Sequence, residues 1–458
     1  MNDVIEALRA TLGSQVRTAD DIPARNFSDA SGLQPTPPRA LILPRTTDEV
    51  SAALKTCREH SQPVVTQGGL TGLAGGAHPQ AGEIALSLEH MNGIEEVDAA
   101  SATLTALAGT PLVLVQQAAD EAGFLCGIDL GARGSCTIGG NAATNAGGNQ
   151  VLRYGMARRN ILGLEVVLAD GTVVRSLNKM LKNNAGYDWT QLFIGSEGTL
   201  GVITRVVIGL HPKSQGVQTA LCAVSSFEDA LLVLRQFQQT HPGRLLVFEA
   251  MWQEFMRVAT QICGLSPAFE AEHDITLLIE ADMGAEPAGT EAFSLFLSDL
   301  YEQDLIKDAV VAQSSADRNR FWAYRETPYE YGRFLPEEIR FDVSVPLDRM
   351  TEAVAHLRQE MPKHWPEAIY VVFGHVADSN IHINVAIQDM TDAIKKGVQN
   401  LVYDLVSRLG GSVSAEHGIG RIKRPYLSLS RTEPELALMA KMKQVLDPAG
   451  ILNPGRVL

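Results

Sequence analysis

The sequence predicts an α+β protein built from two main domains and a C-terminal segment. Its 458 residues are too many for one hydrophobic core, which usually stops growing at about 250–300 residues. Apolar strands separate two glycine-rich stretches in the first half, and after Pro212 amphipathic helices alternate with apolar strands. We therefore expect a first domain at residues 1–213, a second at 214–420 with an antiparallel sheet that helices cover on one side, and a C-terminal segment at 421–458.

Composition and charge exclude several classes of protein. Hydrophobic residues make up 45% of the chain and charged residues 20%, which is typical of a folded enzyme and excludes general disorder. A formal net charge of −15 repels nucleic acid, so we expect no nucleic-acid partner. The uncharged stretch at 101–119 is interrupted by Gly109 and Pro111, so we expect no transmembrane segment. Scattered cysteines without a CxxC pair, and a start (MNDVIEALRA) unlike a secretory signal, predict a cytoplasmic protein.

The first domain opens with a short helix followed by a strand, a helix and a strand. The helix is expected at residues 2–12 and the two strands at 38–44 and 63–66. Thr46 and Glu49 form a capping box, which marks the start of the helix between the strands. This unit delivers the chain directly into the first glycine-rich loop.

The first glycine-rich loop, QGGLTGLAGGAHP at residues 67–79, lacks the spacing of a nicotinamide-binding motif. It reads GGxxGxxGG instead of GxGxxG, and a strand at 83–88 follows where that motif requires a helix. Simple NAD-dependent dehydrogenases are therefore disfavoured. A strand and a helix at 101–119, a hairpin turning at Asp170–Gly171 and a strand within 194–210 complete the domain.

The second glycine-rich loop, GARGSCTIGGNAATNAGGNQVLRYG at residues 131–155, contains seven glycines and no acidic residue. Small residues let a backbone approach a ligand closely, and free N–H groups in such turns suit phosphate. A flexible linker is the alternative, but Ile138, Val151, Leu152 and Tyr154 are interleaved with the glycines and favour a packed turn.

Several motifs together resemble the FAD-binding domain of the p-cresol methylhydroxylase and vanillyl-alcohol oxidase superfamily. They are QGGLTGLAGG, CTIGGNAATNAGGNQVLRYG and KNNAGYDWTQLFIGSEGTLGVIT, and the similarity extends from about Pro37 to Pro454. Within the superfamily, the chain resembles the FAD-linked D-2-hydroxyacid dehydrogenases, the branch that includes D-2-hydroxyglutarate dehydrogenase. The resemblance implies a two-lobed FAD-binding domain, an α+β substrate domain and a tail that returns to the FAD-binding domain.

The resemblance implies that both loops bind FAD. In the family the first loop cradles the pyrophosphate, and the second lies along it and the flavin. Several relatives attach FAD through a histidine in the first loop. This chain has Gly69–Leu70–Thr71 there, so we expect non-covalent FAD and interpret His78 as a surface residue. The implied cofactor-binding residues are Gln67, Gly68, Gly69, Leu70, Thr71, Gly72, Ser135, Gly139, Gly140, Asn141, Asn145, Gly148, Ile203 and Asn453.

Two histidines in YVVFGHVADSNIHINVAI, residues 370–387, are candidate metal ligands. A hairpin over this segment places His375 and His382 on facing strands, where Cβ atoms lie about 4.5–5.5 Å apart. A histidine pair is often only structural, but a carboxylate nearby would complete an open zinc site. The resemblance implies that His375, His382 and Glu416 bind a divalent metal such as zinc, with Asn384 and His417 beside the reacting carbon.

Two arginines are candidates for binding an acidic substrate. Arg325 closes a helix that Pro328 ends, and Arg340 lies on the polar face of the strand IRFDVSV. A helix-end charge and a solvated strand face are the plain alternatives, although arginine binds carboxylates bidentately. The resemblance implies that Arg325, Tyr329 and Arg340 hold a second carboxylate where the family has Arg, Thr and Lys. A dicarboxylate such as D-2-hydroxyglutarate or D-malate is therefore expected.

The implied reaction oxidises a D-2-hydroxy acid to the 2-oxo acid by hydride transfer to flavin N5. His417 would be the general base, and the metal would lower the pKa of the substrate hydroxyl. We expect an electron-transfer flavoprotein or a quinone-linked chain as electron acceptor, and a homodimer is one expected assembly. Three alternatives stay open: a D-lactate or glycolate type of dehydrogenase, a non-catalytic flavoprotein subunit, and a metal-dependent hydrolase.

Overall fold

A computed structural model describes residues 3–458 and divides the chain into two compact units. Unit 1 comprises Met1–Gly148, Tyr154–Lys213 and Glu416–Leu458, and unit 2 comprises Asn149–Arg153 and Ser214–Ala415. Two short stretches lie outside the predicted domain limits, since residues 149–153 belong to unit 2 and residues 416–420 to unit 1.

Unit 1 contains two sheets. The first is four-stranded in the order β1-β2-β4-β3, with β1 antiparallel to β2 and the other pairs parallel. The second is antiparallel in the order β5-β6-β10-β8-β9, and β7 also pairs with β10. The strands are β1 (Val16–Arg17), β2 (Ala40–Ile42), β3 (Val64–Gln67), β4 (Ile84–Ser87), β5 (Ile94–Asp98), β6 (Thr103–Leu107), β7 (Phe124–Cys126), β8 (Ile161–Val167), β9 (Val173–Ser176) and β10 (Val202–Pro212).

The helices of the first half are short, and their ends follow local signals. The second helix begins at the predicted capping box: Thr46 accepts from the Glu49 backbone, and the Glu49 side chain accepts from the Thr46 backbone. The helices are α1 (Val4–Leu12), α2 (Thr47–Glu59), α3 (Leu112–Glu121), α4 (Ile138–Ala143), α5 (Val151–Tyr154), α6 (Ala157–Asn160) and α7 (Thr190–Phe193). A further helix of unit 1, Glu433–Leu446, lies in the C-terminal segment.

Unit 2 is built on one antiparallel sheet of seven strands, in the order β14-β11-β13-β12-β16-β17-β15. The strands are β11 (Val217–Val224), β12 (Leu245–Trp252), β13 (Ile275–Asp282), β14 (Asp308–Val311), β15 (Glu338–Ser344), β16 (Ile369–Gly374) and β17 (Asn380–Ala386). The helices are α8 (Phe227–Thr240), α9 (Gln253–Arg257), α10 (Ala288–Glu302), α11 (Ser315–Glu326), α12 (Met350–His364) and α13 (Asp392–Arg408).

The expectation that helices cover this sheet on one side only is wrong. Every residue of β12 and β17 is buried, which requires cover on both faces. On one face Phe255 of α9 packs against Phe373, and on the other Phe227 of α8 stacks on Trp252. In the sequence, continuous apolar runs without polar alternation already indicated strands that are buried on both faces.

Within residues 3–458, none of the helices combines the length and the apolar character needed to cross a bilayer.

A buried carboxylate joins α2 to the second sheet of unit 1. Glu165 on β8 is fully buried and accepts hydrogen bonds from Thr47 at 2.6 Å, from Thr204 at 2.8 Å and from Arg205. Burial by itself raises the pKa of Glu165, but these three donors outweigh it and hold the pKa below its usual value of 4.5.

We predict that Glu165→Gln lowers stability most at neutral pH. A lowered carboxyl pKa contributes stability that is complete above the unfolded pKa and is lost as pH falls through the folded pKa. The mutation should cost roughly 3 kcal/mol at pH 7, the loss expected when a buried ion pair is broken. The difference in melting temperature from wild type should narrow below about pH 4.5. Glu95→Gln, which removes the exposed partner of Arg205, is the matched control and should cost less than about 1 kcal/mol.

Candidate active site

The two glycine-rich loops of unit 1 are in direct contact. A Cβ atom on Gly69 would lie 2.1 Å from the carbonyl oxygen of Ser135, and one on Gly68 would lie 2.7 Å from Thr137 Oγ1. Any side chain at these positions would push the loops apart. Glycine is therefore required here for close approach of two backbones.

The first loop presents unused backbone donors. Among residues 3–458, no protein group accepts a hydrogen bond from the backbone N–H groups of residues 68–76. Leu70 adopts a φ of 59°, and a Cβ on Gly72 would meet no atom within 4 Å. Consecutive free N–H groups beside open space, with Thr71 between them, form a cradle of the kind that binds phosphate.

The second loop is a packed turn, which excludes the flexible-linker alternative. Ile138 and Tyr154 are buried, and α4 starts where Thr137 Oγ1 accepts from the Gly140 backbone at 3.4 Å. The Gly139 backbone donates to Ala108 at 2.8 Å, and Gly148 adopts a φ of 109° against the Asp129 carbonyl.

Two asparagines of the second loop differ in their hydrogen bonding. Asn145 Oδ1 accepts from the Arg158 backbone at 2.9 Å, so it fixes the turn. Asn141 is buried, and its Nδ2 has no acceptor among the residues that the structure describes. A buried unpaired amide beside a phosphate cradle fits a polar ligand such as FAD.

The C-terminal segment is tied to the base of the first loop. Asn453 Oδ1 accepts from the Thr66 backbone at 2.9 Å, and Asn453 Nδ2 donates to the Glu197 carbonyl at 2.9 Å. Gln67 and Ile203 are also buried, Gln67 between the carbonyls of Asn26 and Ala77.

The interpretation of His78 as a surface residue is wrong, since only 2% of it is exposed. It lies beside the buried ion pair of Arg456 with Glu83, and Arg456 also donates to the His78 carbonyl.

Glu416 and His417 lie on a loop of unit 1 whose shape depends on the half-buried Glu197. Glu197 accepts from the backbones of Ile419 at 2.7 Å and Gly420 at 2.8 Å. Burial raises the pKa of the Glu197 carboxyl, although these bonds partly offset it. Glu416 Oε1 accepts from the Gly148 backbone at 3.0 Å, which ties this loop to the second glycine-rich loop. These contacts explain why residues 416–420 belong to unit 1.

The two candidate ligand histidines, His375 and His382, both belong to unit 2 and lie close together, but not as a cross-strand pair. His382 on β17 is opposite Phe373, and His375 lies beyond the end of β16 in the connection between the strands. Their ring centroids are 5.7 Å apart and their ligand-capable nitrogens lie within 4.8 Å of each other. The expected pairing was wrong because a short 3₁₀ turn at Val376–Asp378 shifts the register.

Glu249, which the sequence reasoning missed, lies between a predicted ligand and a predicted substrate-binding residue. Its fully buried carboxylate accepts from Arg325 Nε at 2.6 Å and contacts His375 Nδ1. Burial alone raises the pKa of Glu249, but Arg325 and His375 outweigh it and hold the pKa far below its usual range. The available signal was the carboxylate inside the apolar run LLVFEAMW, since a buried charge needs a partner.

The remaining candidates differ in their surroundings. Arg325 is 9% exposed and packs over the Phe373 ring at 4.7 Å, so it is not a solvated helix-end charge. Arg340 and Asn384 are opposite each other on β15 and β17, and both donate to Glu338, at 2.7 and 3.0 Å. Tyr329 is 68% exposed.

Comparison with known proteins identifies the fold and the family. A family described as "FAD binding domain" matches residues 38–176, and one described as "FAD linked oxidases, C-terminal domain" matches residues 213–457. A solved structure of p-cresol methylhydroxylase with substrate bound has a TM-score of 0.80, covering 100% of this chain and 96% of that one at 17% identity. The predicted α+β fold is confirmed, and the chain is an FAD-linked oxidoreductase.

Relatives define the branch. Bovine mitochondrial D-2-hydroxyglutarate dehydrogenase is 39% identical over 95% of this chain and 82% of its own length. The D-2-hydroxyglutarate dehydrogenase of Xanthomonas citri is 37% identical over 92% of this chain and 89% of its own. The chain belongs to the FAD-linked D-2-hydroxyacid dehydrogenase family, as the motifs predicted. It is an FAD-dependent dehydrogenase that acts on CH–OH donors.

The prediction of a cytoplasmic location is contradicted. The relatives from cattle, zebrafish and Arabidopsis are named as mitochondrial. So is a Schizosaccharomyces pombe relative whose name gives D-lactate dehydrogenase as an assigned but unproven activity. The prediction was wrong because scattered cysteines indicate a reducing environment and do not identify the cellular compartment.

We predict that Gly69→Ala abolishes FAD retention, because its Cβ would collide with the Ser135 carbonyl and separate the loops. Flavin content of the purified protein, read from visible absorbance against protein concentration, measures the effect. Gly134→Ala is the control, since a Cβ there meets no atom within 4 Å and should leave the flavin content unchanged. Full flavin occupancy in the Gly69 variant would contradict the prediction that close contact between the loops is needed to retain FAD.

Proposed function

We propose that the chain oxidises a D-2-hydroxy dicarboxylate, such as D-2-hydroxyglutarate or D-malate, to the corresponding 2-oxo acid. The observation that carries this proposal is Arg325, a buried cation on the sheet face that also holds His382. In a chain with a net charge of −15, an acidic substrate needs such a local cation. The names of the bovine and Xanthomonas relatives support the same substrate class.

Residues 1–213 would form the FAD-binding domain, residues 214–420 the substrate domain, and residues 421–458 the returning tail. FAD would be held non-covalently by the two glycine-rich loops, Ile203 and Asn453, and when bound it supplies the hydride acceptor at N5. Free N–H groups at 68–76 and the unpaired amide of Asn141 support this assignment.

A divalent metal, which we propose to be zinc, would be held by His375, His382 and Glu416. Two imidazoles and one carboxylate are ligands that zinc accepts while keeping an open position, and the ion supplies Lewis acidity toward the substrate hydroxyl. The proximity of the two imidazoles supports the assignment.

The protein's own groups would bind the substrate and move its proton. Arg325 would hold the distal carboxylate, with Tyr329 and Arg340 completing its surroundings. Asn384 would orient the C1 end of the substrate through its amide. His417 would accept the proton of the 2-hydroxyl group, since imidazole is the usual general base near neutral pH.

Oxidation of a monocarboxylate such as D-lactate is the second candidate. Tyr329 is largely exposed and Arg340 is bonded to Glu338, so two of the three distal positions are not preformed for a carboxylate.

For reoxidation of the flavin we propose an electron-transfer flavoprotein or a quinone-linked chain as electron acceptor. We also propose that the enzyme acts as a homodimer.

A substrate panel tests the proposed function. Anaerobic addition of D-2-hydroxyglutarate or D-malate should bleach the flavin absorbance, whereas the L-enantiomers should not. Arg325→Lys should raise the KM for the diacid by at least about tenfold, because lysine cannot bind a carboxylate bidentately. Its effect on D-lactate should be small. Bleaching by D-lactate alone would favour the second candidate, and no bleaching by any 2-hydroxy acid would reject both.

His417→Gln should lower kcat by about 10²- to 10⁴-fold, the usual contribution of a general base, with flavin absorbance retained. Pre-steady-state flavin reduction in stopped flow measures this step directly. His364→Gln, at the exposed end of α12, is the control and should leave the rate unchanged. An unaffected reduction rate in the His417 variant would remove it from the mechanism.

A further inference from the structure

We infer that Glu249 is a positioning residue that orients a metal ligand and a substrate-binding arginine with one carboxylate. The inference rests on the proposed function, because it concerns His375 as a ligand and Arg325 as a substrate anchor. All three residues lie in unit 2, and Glu249 is fully buried in the middle of β12. A carboxylate without exposure must be matched by donors that surround it.

The contacts determine which ring nitrogen of His375 carries the proton. Arg325 Nη2 lies 3.3 Å from His375 Nε2, and arginine can only donate, so Nε2 must be the acceptor. The proton then lies on Nδ1, which faces the Glu249 carboxylate. In metal sites a histidine that donates one N–H to a carboxylate has its other nitrogen oriented for the ion. Glu249 therefore holds Nε2 of His375 in the state that a metal requires.

The same carboxylate fixes the arginine. Glu249 Oε2 accepts from Arg325 Nε at 2.6 Å, and the guanidinium lies over the Phe373 ring at 4.7 Å. These two contacts hold the guanidinium plane, with Nη2 3.3 Å from His375 Nε2. A cation at His375 Nε2 would displace Arg325 Nη2 from that nitrogen, which would free an N–H for a substrate carboxylate. Glu249 contacts both residues and therefore orients the ligand nitrogen and the guanidinium together.

His382 also lies opposite a buried carboxylate, but at a longer distance than His375 lies from Glu249. Asp342 on β15 is opposite His382 and fully buried, but its Oδ1 lies 3.8 Å from His382 Nδ1, beyond hydrogen-bonding distance. The positioning role is assigned to Glu249, whose carboxylate contacts both His375 Nδ1 and Arg325 Nε.

The chain offers a matched control carboxylate in the same sheet. Glu280 on the neighbouring strand β13 is 2% exposed and pairs with Arg318 at 2.6 and 2.9 Å. Arg318 and Arg325 belong to the same helix, α11. Trp322 at 2.8 Å and Thr219 at 2.9 Å also donate to Glu280. Loss of Glu280 therefore tests burial and arginine pairing without a metal ligand.

Glu249→Gln should weaken zinc binding to the flavin-loaded full-length protein by about 10- to 100-fold, the usual effect of removing a ligand's hydrogen-bonding partner. Glutamine presents one acceptor oxygen to two donors, so either His375 or Arg325 loses its partner. Competition with a chromogenic chelator measures zinc affinity. The kcat/KM for D-2-hydroxyglutarate should fall by about 10²-fold. Glu280→Gln should lower the melting temperature but leave both quantities within about twofold of wild type.

Two results would overturn the inference. One is a Glu249→Gln protein with wild-type zinc affinity, and the other is equal loss of zinc affinity in the Glu280 variant. If Glu249→Gln fails to fold, Glu249→Asp carries the test, since it keeps the charge on a side chain too short for both partners; its zinc affinity should fall about tenfold, and an unchanged value would reject the role. Failure of the proposed function is distinguishable, because the wild-type protein itself would then bind no zinc and oxidise no D-2-hydroxy acid.

Discussion

Compensation of buried charge is the constraint on which both units depend. Glu83, Glu165 and Glu280 are almost wholly buried, and each is matched by arginine. A buried carboxylate without such partners would cost several kcal/mol, roughly the margin by which a folded domain is stable. The buried charge of Glu249 also needs partners. One partner is an arginine, Arg325, and the other is a histidine, His375. Pairing of a buried carboxylate stabilises the fold elsewhere, and we infer that at Glu249 it also orients Arg325 and His375.

The two glycine-rich loops differ in how their backbone groups are used. Gly68 and Gly69 are needed because the loops touch, so the absence of side chains serves contact between protein backbones. Residues 68–76 contribute backbone donors that no protein group uses among the described residues, whereas the second loop satisfies most of its own donors and acts as a rigid support. Glycine content alone does not distinguish these roles, since both loops look equally flexible in sequence.

Unit 2 places several polar groups on one face of a sheet that is buried on both sides. Met251, Phe373, His382 and Asp342 are aligned across β12, β16, β17 and β15, and Glu249 lies two residues before Met251 on the same face of β12. Strand pairing therefore assembles residues that are far apart in the chain. Covering both faces excludes water, which strengthens every electrostatic interaction at the site.

The sequence by itself determined the α+β fold, the capping box of α2, the two glycine-rich loops and the family, because each depends on residues that are neighbours in the chain. Only the tertiary structure decided that Glu249 joins Arg325 to His375, that Glu197 shapes the loop carrying His417, and that His78 is buried. It also decided the register that puts His382 opposite Phe373 and not His375. These contacts join residues separated by tens to hundreds of positions, and they depend on which side chains can neutralise one another once water has been excluded. Hydrophobic periodicity along the chain therefore does not show which distant residues form these contacts.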